Sequence, residues 1–226
     1  MDVYSHEKEQ IENIKAWWRE NRWYIIAGLI ISAAVVGGWR YWQEYRLQQA
    51  EAASQRYETL LTQAAASDAE AVAAAASELQ RDYAGTPYAS LGTLRLAALR
   101  VEAGEFDAAA DALGWVMENT SDPELGLVAR LRLARVLLQQ RETADAQQVL
   151  DVANAGRFEA LFEELRGDAF LLDGDRDNAR VAYEAALAAM EPGLGDRRLV
   201  EMKLNNLALP QQVLAAEDAG REESAE

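Results

Sequence analysis

Two patterns of hydrophobic and polar positions divide the chain. Trp23 to Trp39 is an uncharged run of 17 residues bounded by Arg22 and Arg40, and it extends through Tyr41 and Trp42 to 20. From Gln43 onward apolar residues recur every three or four positions, and Ala, Leu, Glu, Gln and Arg dominate. That period and those residues specify amphipathic helices. Strand signals are nearly absent. Pro87, Pro123, Pro192 and Pro210 each stand at an apparent element boundary. The pattern predicts an all-α chain.

At 1.5 Å per residue, 20 helical residues span about 30 Å, the hydrocarbon thickness of a bilayer. Trp17, Trp18, Trp23, Trp39 and Trp42 sit at the ends of the run and not in its middle, where amphipathic rings settle at headgroup level. A core helix has no reason to carry Trp and Arg at both ends. A cleaved signal peptide is the rival reading. Its leading region would be 22 residues long and contain five acids, and the apolar run continues past the small residues Ser32–Ala34. An uncleaved anchor fits better. Lys8, Lys15, Arg19 and Arg22 precede the span, against Arg40, Arg46 and Arg56 just after it. This bias favours a cytoplasmic N-terminus. Residues 7–22 read either as an amphipathic helix on the inner leaflet or as a solvated helix running into the span. Gly28 with Ser32, Ala33 with Gly37 and Ala34 with Gly38 form three small-xxx-small pairs, spacing that admits a second membrane helix.

Beyond the span an internal repeat appears. Gly104-Glu-Phe-Asp-Ala-Ala109, Arg141-Glu-Thr-Ala-Asp-Ala146 and Gly174-Asp-Arg-Asp-Asn-Ala179 superpose at spacings of 37 and 33 residues. Twelve residues before each final Ala stands a small residue (Ala97, Ala134, Gly167). Four residues after it stands a large apolar one (Leu113, Leu150, Tyr183). Each unit is therefore a helix, a tight turn and a second helix, the tetratricopeptide layout. Residues 43–88 supply a further helix pair, with Ser67-Asp68 as cap and Gly85-Thr-Pro87 as turn, and residues 196–208 a closing helix. The chain then divides into a cytoplasmic amphipathic head (1–22), a transmembrane helix (23–42), an exported tetratricopeptide-like solenoid (43–209) and an acidic, disordered tail (210–226).

Such stacks present the first helix of each pair on an inner face. By repeat register that face comprises Leu94, Ala98 and Val101, then Leu131, Arg135 and Leu138, then Glu164, Asp168 and Leu171. Apolar residues mixed with a few charges suit a peptide or a partner helix. Burial of several of them within so short an array fits the same spacing.

Charge sharpens this picture. The chain carries 22 Lys+Arg against 38 Asp+Glu, net -16, of which -15 lies after residue 39. That balance argues against nucleic acid as a partner. With no Cys and a single His, His6, thiolate chemistry and most His-based catalysis and metal binding are excluded. Asp173, Asp175, Asp177 and Glu184 have calcium-loop spacing, but Asn178 replaces the required Gly and the repeat register makes the segment helical. No motif marks a catalytic pair, a cofactor or a small-molecule substrate, which leaves an acidic periplasmic hydrolase as a remote alternative.

The layout of the whole chain, with Gly38-Trp-Arg-Tyr-Trp42 closing the span, Leu131-Arg-Leu-Ala-Arg135, Leu165-Arg-Gly-Asp168 and Met202-Lys-Leu-Asn-Asn-Leu207, resembles the YfgM-like ancillary subunits of the bacterial Sec translocon. The tail after Leu209 departs from that family's pattern. The resemblance implies a single-pass inner-membrane protein with a periplasmic domain (43–209), without catalytic activity or cofactor. It implies as partners the SecYEG channel and a membrane-anchored periplasmic chaperone of the prolyl-isomerase type, with translocated client proteins passed on to periplasmic chaperones. A membrane-anchored repeat scaffold for envelope assembly or stress signalling is the alternative that composition and periodicity support equally.

Overall fold

A computed structural model describes residues 3–66 and 68–208, with side chains from Ile11 to Leu207. Ser67, proposed with Asp68 as a cap, and the tail at 210–226 lie outside the described residues. The regular structure is helical: α1 (Val3–Ala65), α2 (Ala69–Asp82), α3 (Pro87–Glu102), α4 (Phe106–Asn119), α5 (Pro123–Gln139), α6 (Thr143–Leu150), α7 (Glu159–Leu172), α8 (Arg176–Ala189) and α9 (Arg197–Ala208). A 3-10 turn, Gly156–Phe158, leads into α7. Among the described residues the chain is all-α: a long apolar N-terminal helix followed by packed tetratricopeptide-like helix pairs. Two compact units divide between Ala52 and Ala53.

In the first unit α1 is uninterrupted from the head through the apolar run. It is long and apolar enough to cross a membrane, and none of its most apolar stretch is buried against protein. Ile30, Ile31, Val35 and Val36 are all exposed. A core helix would hide such side chains, and lipid is the phase that accepts them. At the ends of the run, guanidinium groups lie over indole faces: Arg22 Cζ is 5.8 Å from the Trp23 ring centroid and Arg46 Cζ 4.8 Å from that of Trp42. Such pairs hold charge and ring together at an interface.

In the second unit the end of α1 pairs with α2. Ala53, Leu60 and Ala64 bury with Val72, Ala76 and Leu79, and Arg56 meets Glu78 at 3.1 Å. Three repeat units follow, α3–α4, α5–α6 and α7–α8, each helix packing on the next, with α9 against α8. Helix starts are set by caps: Asp68, Asp122 and Asp175 accept backbone N–H groups of the turn that follows, and Pro87 and Pro123 open their helices where no N–H is needed.

The three predicted turns share one geometry. The N–H of Gly104, Arg141 and Gly174 donates to the carbonyls of Val101, Leu138 and Leu171, and the next residue's N–H donates to Arg100, Leu137 and Phe170. This double closure needs a left-handed residue at the first position. Gly104 (φ 76°) and Gly174 (φ 81°) supply it freely, whereas Arg141 takes φ 64° against its Cβ.

The small–large register is also steric. A Cβ on Gly167 would collide with the Tyr183 ring, so α7 and α8 approach this closely only because position 167 has no side chain. Arginines tie off helix ends: Arg166 donates to the Leu150 carbonyl at 2.8 Å, Arg130 to that of Val149 at 3.2 Å and Arg176 to that of Leu207 at 2.9 Å.

Candidate partner-binding groove

Between α3 and α5, with Phe106 and Leu113 of α4 behind and Tyr57 beside, the second unit opens a groove of about 830 Å³. Its floor is apolar, built from Leu94, Ala97, Phe106, Leu113 and Val136. Its rim carries Arg95, Arg132 and Arg135 against one carboxylate, Glu102. Arg95 and Arg132 occupy the same position in successive repeats, 37 residues apart. Among the described residues none of the three arginines has a carboxylate partner. The local charge is therefore positive inside a strongly acidic domain.

The structure distributes the nine sequence-derived face residues in four ways. Leu94, Ala98, Val101 and Arg135 line the groove. Leu131 and Leu138 are buried in the central core, because α5 packs on α3, α4, α6 and α7 at once. The lining face of α5 is accordingly rotated to Arg132, Arg135, Val136 and Gln139. Glu164 and Asp168 are engaged within the chain: Lys203 of α9 donates to Glu164 Oε1 and to Asp168 Oδ2, both at 2.7 Å. Asp168 Oδ1 also accepts the Tyr183 hydroxyl at 2.7 Å. Burial, and then this hydrogen bond to an anion, push the Tyr183 phenol well above its ordinary value. Leu171 stays exposed at the end of α7 and does not line the groove.

Arg95, Arg132, Tyr57 and Phe106 were not anticipated. The recurrence of Arg at one repeat position was a usable signal for the first two. Tyr57 and Phe106 lie outside the first-helix face, and only packing brings them in.

In the first unit, Gly28, Ser32, Ala33, Ala34, Gly37 and Gly38 are exposed. Nothing lies within 4 Å of a Cβ built on the three glycines, and Ser32 Oγ donates to its own helix at the Gly28 carbonyl, 2.8 Å away. Two of the carboxylates with calcium-loop spacing, Asp175 and Asp173, have structural employment. Asp175 caps α8, and the Asn178 backbone and side-chain N–H groups hold its carboxyl below the usual range. Asp173 accepts from Thr143 and Gln147 of the preceding repeat. Glu184 lies within α8.

A family model described as a tetratricopeptide repeat-like domain matches residues 15–209. The chain is 32% identical over 210 residues to the "Ancillary SecYEG translocon subunit" of Escherichia coli (strain K12), covering 92% of this chain and 100% of that one. The chain belongs to the ancillary SecYEG translocon subunit family. The relative of the same name from Aggregatibacter actinomycetemcomitans is 34% identical over 206 residues, with 91% and 100% of the two chains covered. That from Neisseria gonorrhoeae is 28% identical over 208 residues, with 92% and 100% covered. No solved structure matches. The resemblance read from the span and repeat motifs is thus the family itself, and the likeness runs through span and repeats alike.

Proposed function

We propose that this chain is a non-enzymatic, membrane-anchored scaffold of the Sec translocon. α1 anchors it in the bacterial inner membrane with the N-terminus in the cytoplasm, and the repeat domain stands in the periplasm. There it associates with the SecYEG channel and a membrane-anchored prolyl-isomerase-type chaperone, and helps pass translocated clients to periplasmic chaperones. The α3–α5 groove serves as its partner-binding surface, and the small-residue pairs of the span admit a partner helix. The observation that carries this reading is the full-length likeness to proteins named for the translocon. The unburied apolar helix supports the anchoring, and the excess of Lys and Arg before the span supports the orientation.

Affinity purification in mild detergent at native expression should recover channel subunits and the chaperone. Recovery of neither would sink the proposal. A reporter enzyme active only in the periplasm, fused after Leu209, should be active; activity only of a cytoplasmic reporter would reverse the orientation.

A further inference from the structure

We infer that the α3–α5 groove takes an acidic, apolar-anchored segment of a partner protein: large apolar side chains for the floor, carboxylates for Arg95, Arg132 and Arg135. This rests on the reading of the groove as the partner-binding surface and names the chemistry of its partner.

Size points to a polypeptide. The lining residues of α3 run from Leu91 to Glu102, a rise of about 17 Å along the helix. That is three turns of a docked helix or about five residues of extended chain. An apolar floor with charges confined to the rim is the arrangement that seats alternate or i, i+3, i+4 anchors.

Charge selects the polypeptide. Guanidinium groups take carboxylates in paired hydrogen bonds, and these three are not matched by carboxylates of the described residues. With Glu102 included, the rim carries net +2 in a region carrying -15. The same overall charge repels an anionic bilayer or nucleic acid, whose extended fields meet the whole surface. A short segment meets chiefly the groove, because at physiological ionic strength charges beyond about 8 Å are screened.

The test uses the full-length protein in mild detergent and three fluorescein-labelled 15-residue peptides: one of Leu and Glu, one with Gln for each Glu, one with Ser for each Leu. Fluorescence anisotropy at 0.15 M salt should show the Leu/Glu peptide binding at least tenfold tighter than either control. The double variant Arg132→Glu, Arg135→Glu should lose at least tenfold affinity with an unchanged melting curve. Both side chains are exposed, and Arg132→Gln, Arg135→Gln provides a milder second variant that should weaken binding in the same direction. Equal binding of the Glu and Gln peptides, or full affinity in both double variants, overturns the inference. So does a chain ending at Ala208 that binds the peptide tenfold tighter, which would make its own acidic tail the occupant, or dimerisation lost in the double variant, which would make it a second copy. Channel recovery is read in parallel. Peptide binding lost with the channel retained leaves the translocon reading standing. Peptide binding intact with no channel recovered from wild type removes that reading and leaves the groove chemistry.

Discussion

The first and third repeats present the same face in the same register, yet one is open and the other closed. Leu94, Ala98 and Val101 of α3 line a groove, whereas Glu164 and Asp168 of α7 are held by Lys203. The difference is the neighbour. α9 carries its lysine across to α7, and the phenol of Tyr183 completes the cluster from α8. A repeat position thus defines a direction, and what stands in that direction decides whether it binds inside or outside the molecule.

The sharpest way to break the closed end is Lys203→Met. The Glu164 and Asp168 side chains are 10% and 26% exposed, so removing their cation strands one buried and one partly buried carboxylate. A loss of about 2–3 kcal/mol is expected, below the value for a fully buried pair because water still reaches the site. Thermal melting of the full chain should show it, and adding Glu164→Gln should recover part.

Next is Gly167→Ala. Its Cβ would collide with the Tyr183 ring, and the overpacking should cost about 1–3 kcal/mol despite the better helix propensity of Ala. Ala97, in the same position of the open repeat, already carries that Cβ opposite the smaller Leu113. An unchanged melt for Gly167→Ala would show that α7 and α8 can separate.

Tyr183→Phe keeps the ring and removes the bond to Asp168, at roughly 1 kcal/mol near neutrality. It should also change the alkaline limb. The folded-state phenol is raised above its unfolded value of about 10. The neutral-phenol contribution is therefore fully present below pH 10 and lost as pH rises beyond it. Difference melts of wild type and Tyr183→Phe from pH 8 to 11 should differ at pH 8 and converge toward pH 11. Parallel curves would deny Tyr183 a part in the alkaline response.

The smallest effect belongs to the middle repeat, between the two ends. Arg141→Gly relieves a left-handed residue and should stabilise by no more than about 1 kcal/mol, since Gly also gains freedom when unfolded.

Much of the architecture was legible beforehand because it is local. The 3.6-residue period, the Asp68 cap, Pro87 and Pro123 at element boundaries and the residues that open the turns all act within a few positions of one another. Gly167 and Tyr183 could be paired before any coordinates because the repeat maps sequence spacing onto contact. The binding face was legible only in part. Register placed Leu131 and Leu138 beside Arg135, but four neighbouring helices surround α5 and rotate its free face toward Arg132 and Val136. Leu171 shares the register of Val101 yet stays outside the groove. Nothing in the periodicity of α9 indicated that Lys203 would find its partners 35 and 39 residues away.

The sequence by itself determined the membrane-length apolar helix, the helix pairs, their turns and the family. Each depends on residue chemistry at short range or on a period that repeats. Tertiary structure alone decided which repeats stay open, where Tyr57 and Phe106 complete a floor, and which charges are consumed inside the chain. Burial and ion pairing depend on what packs against a side chain, and in a stack of helices that neighbour comes from dozens of residues away.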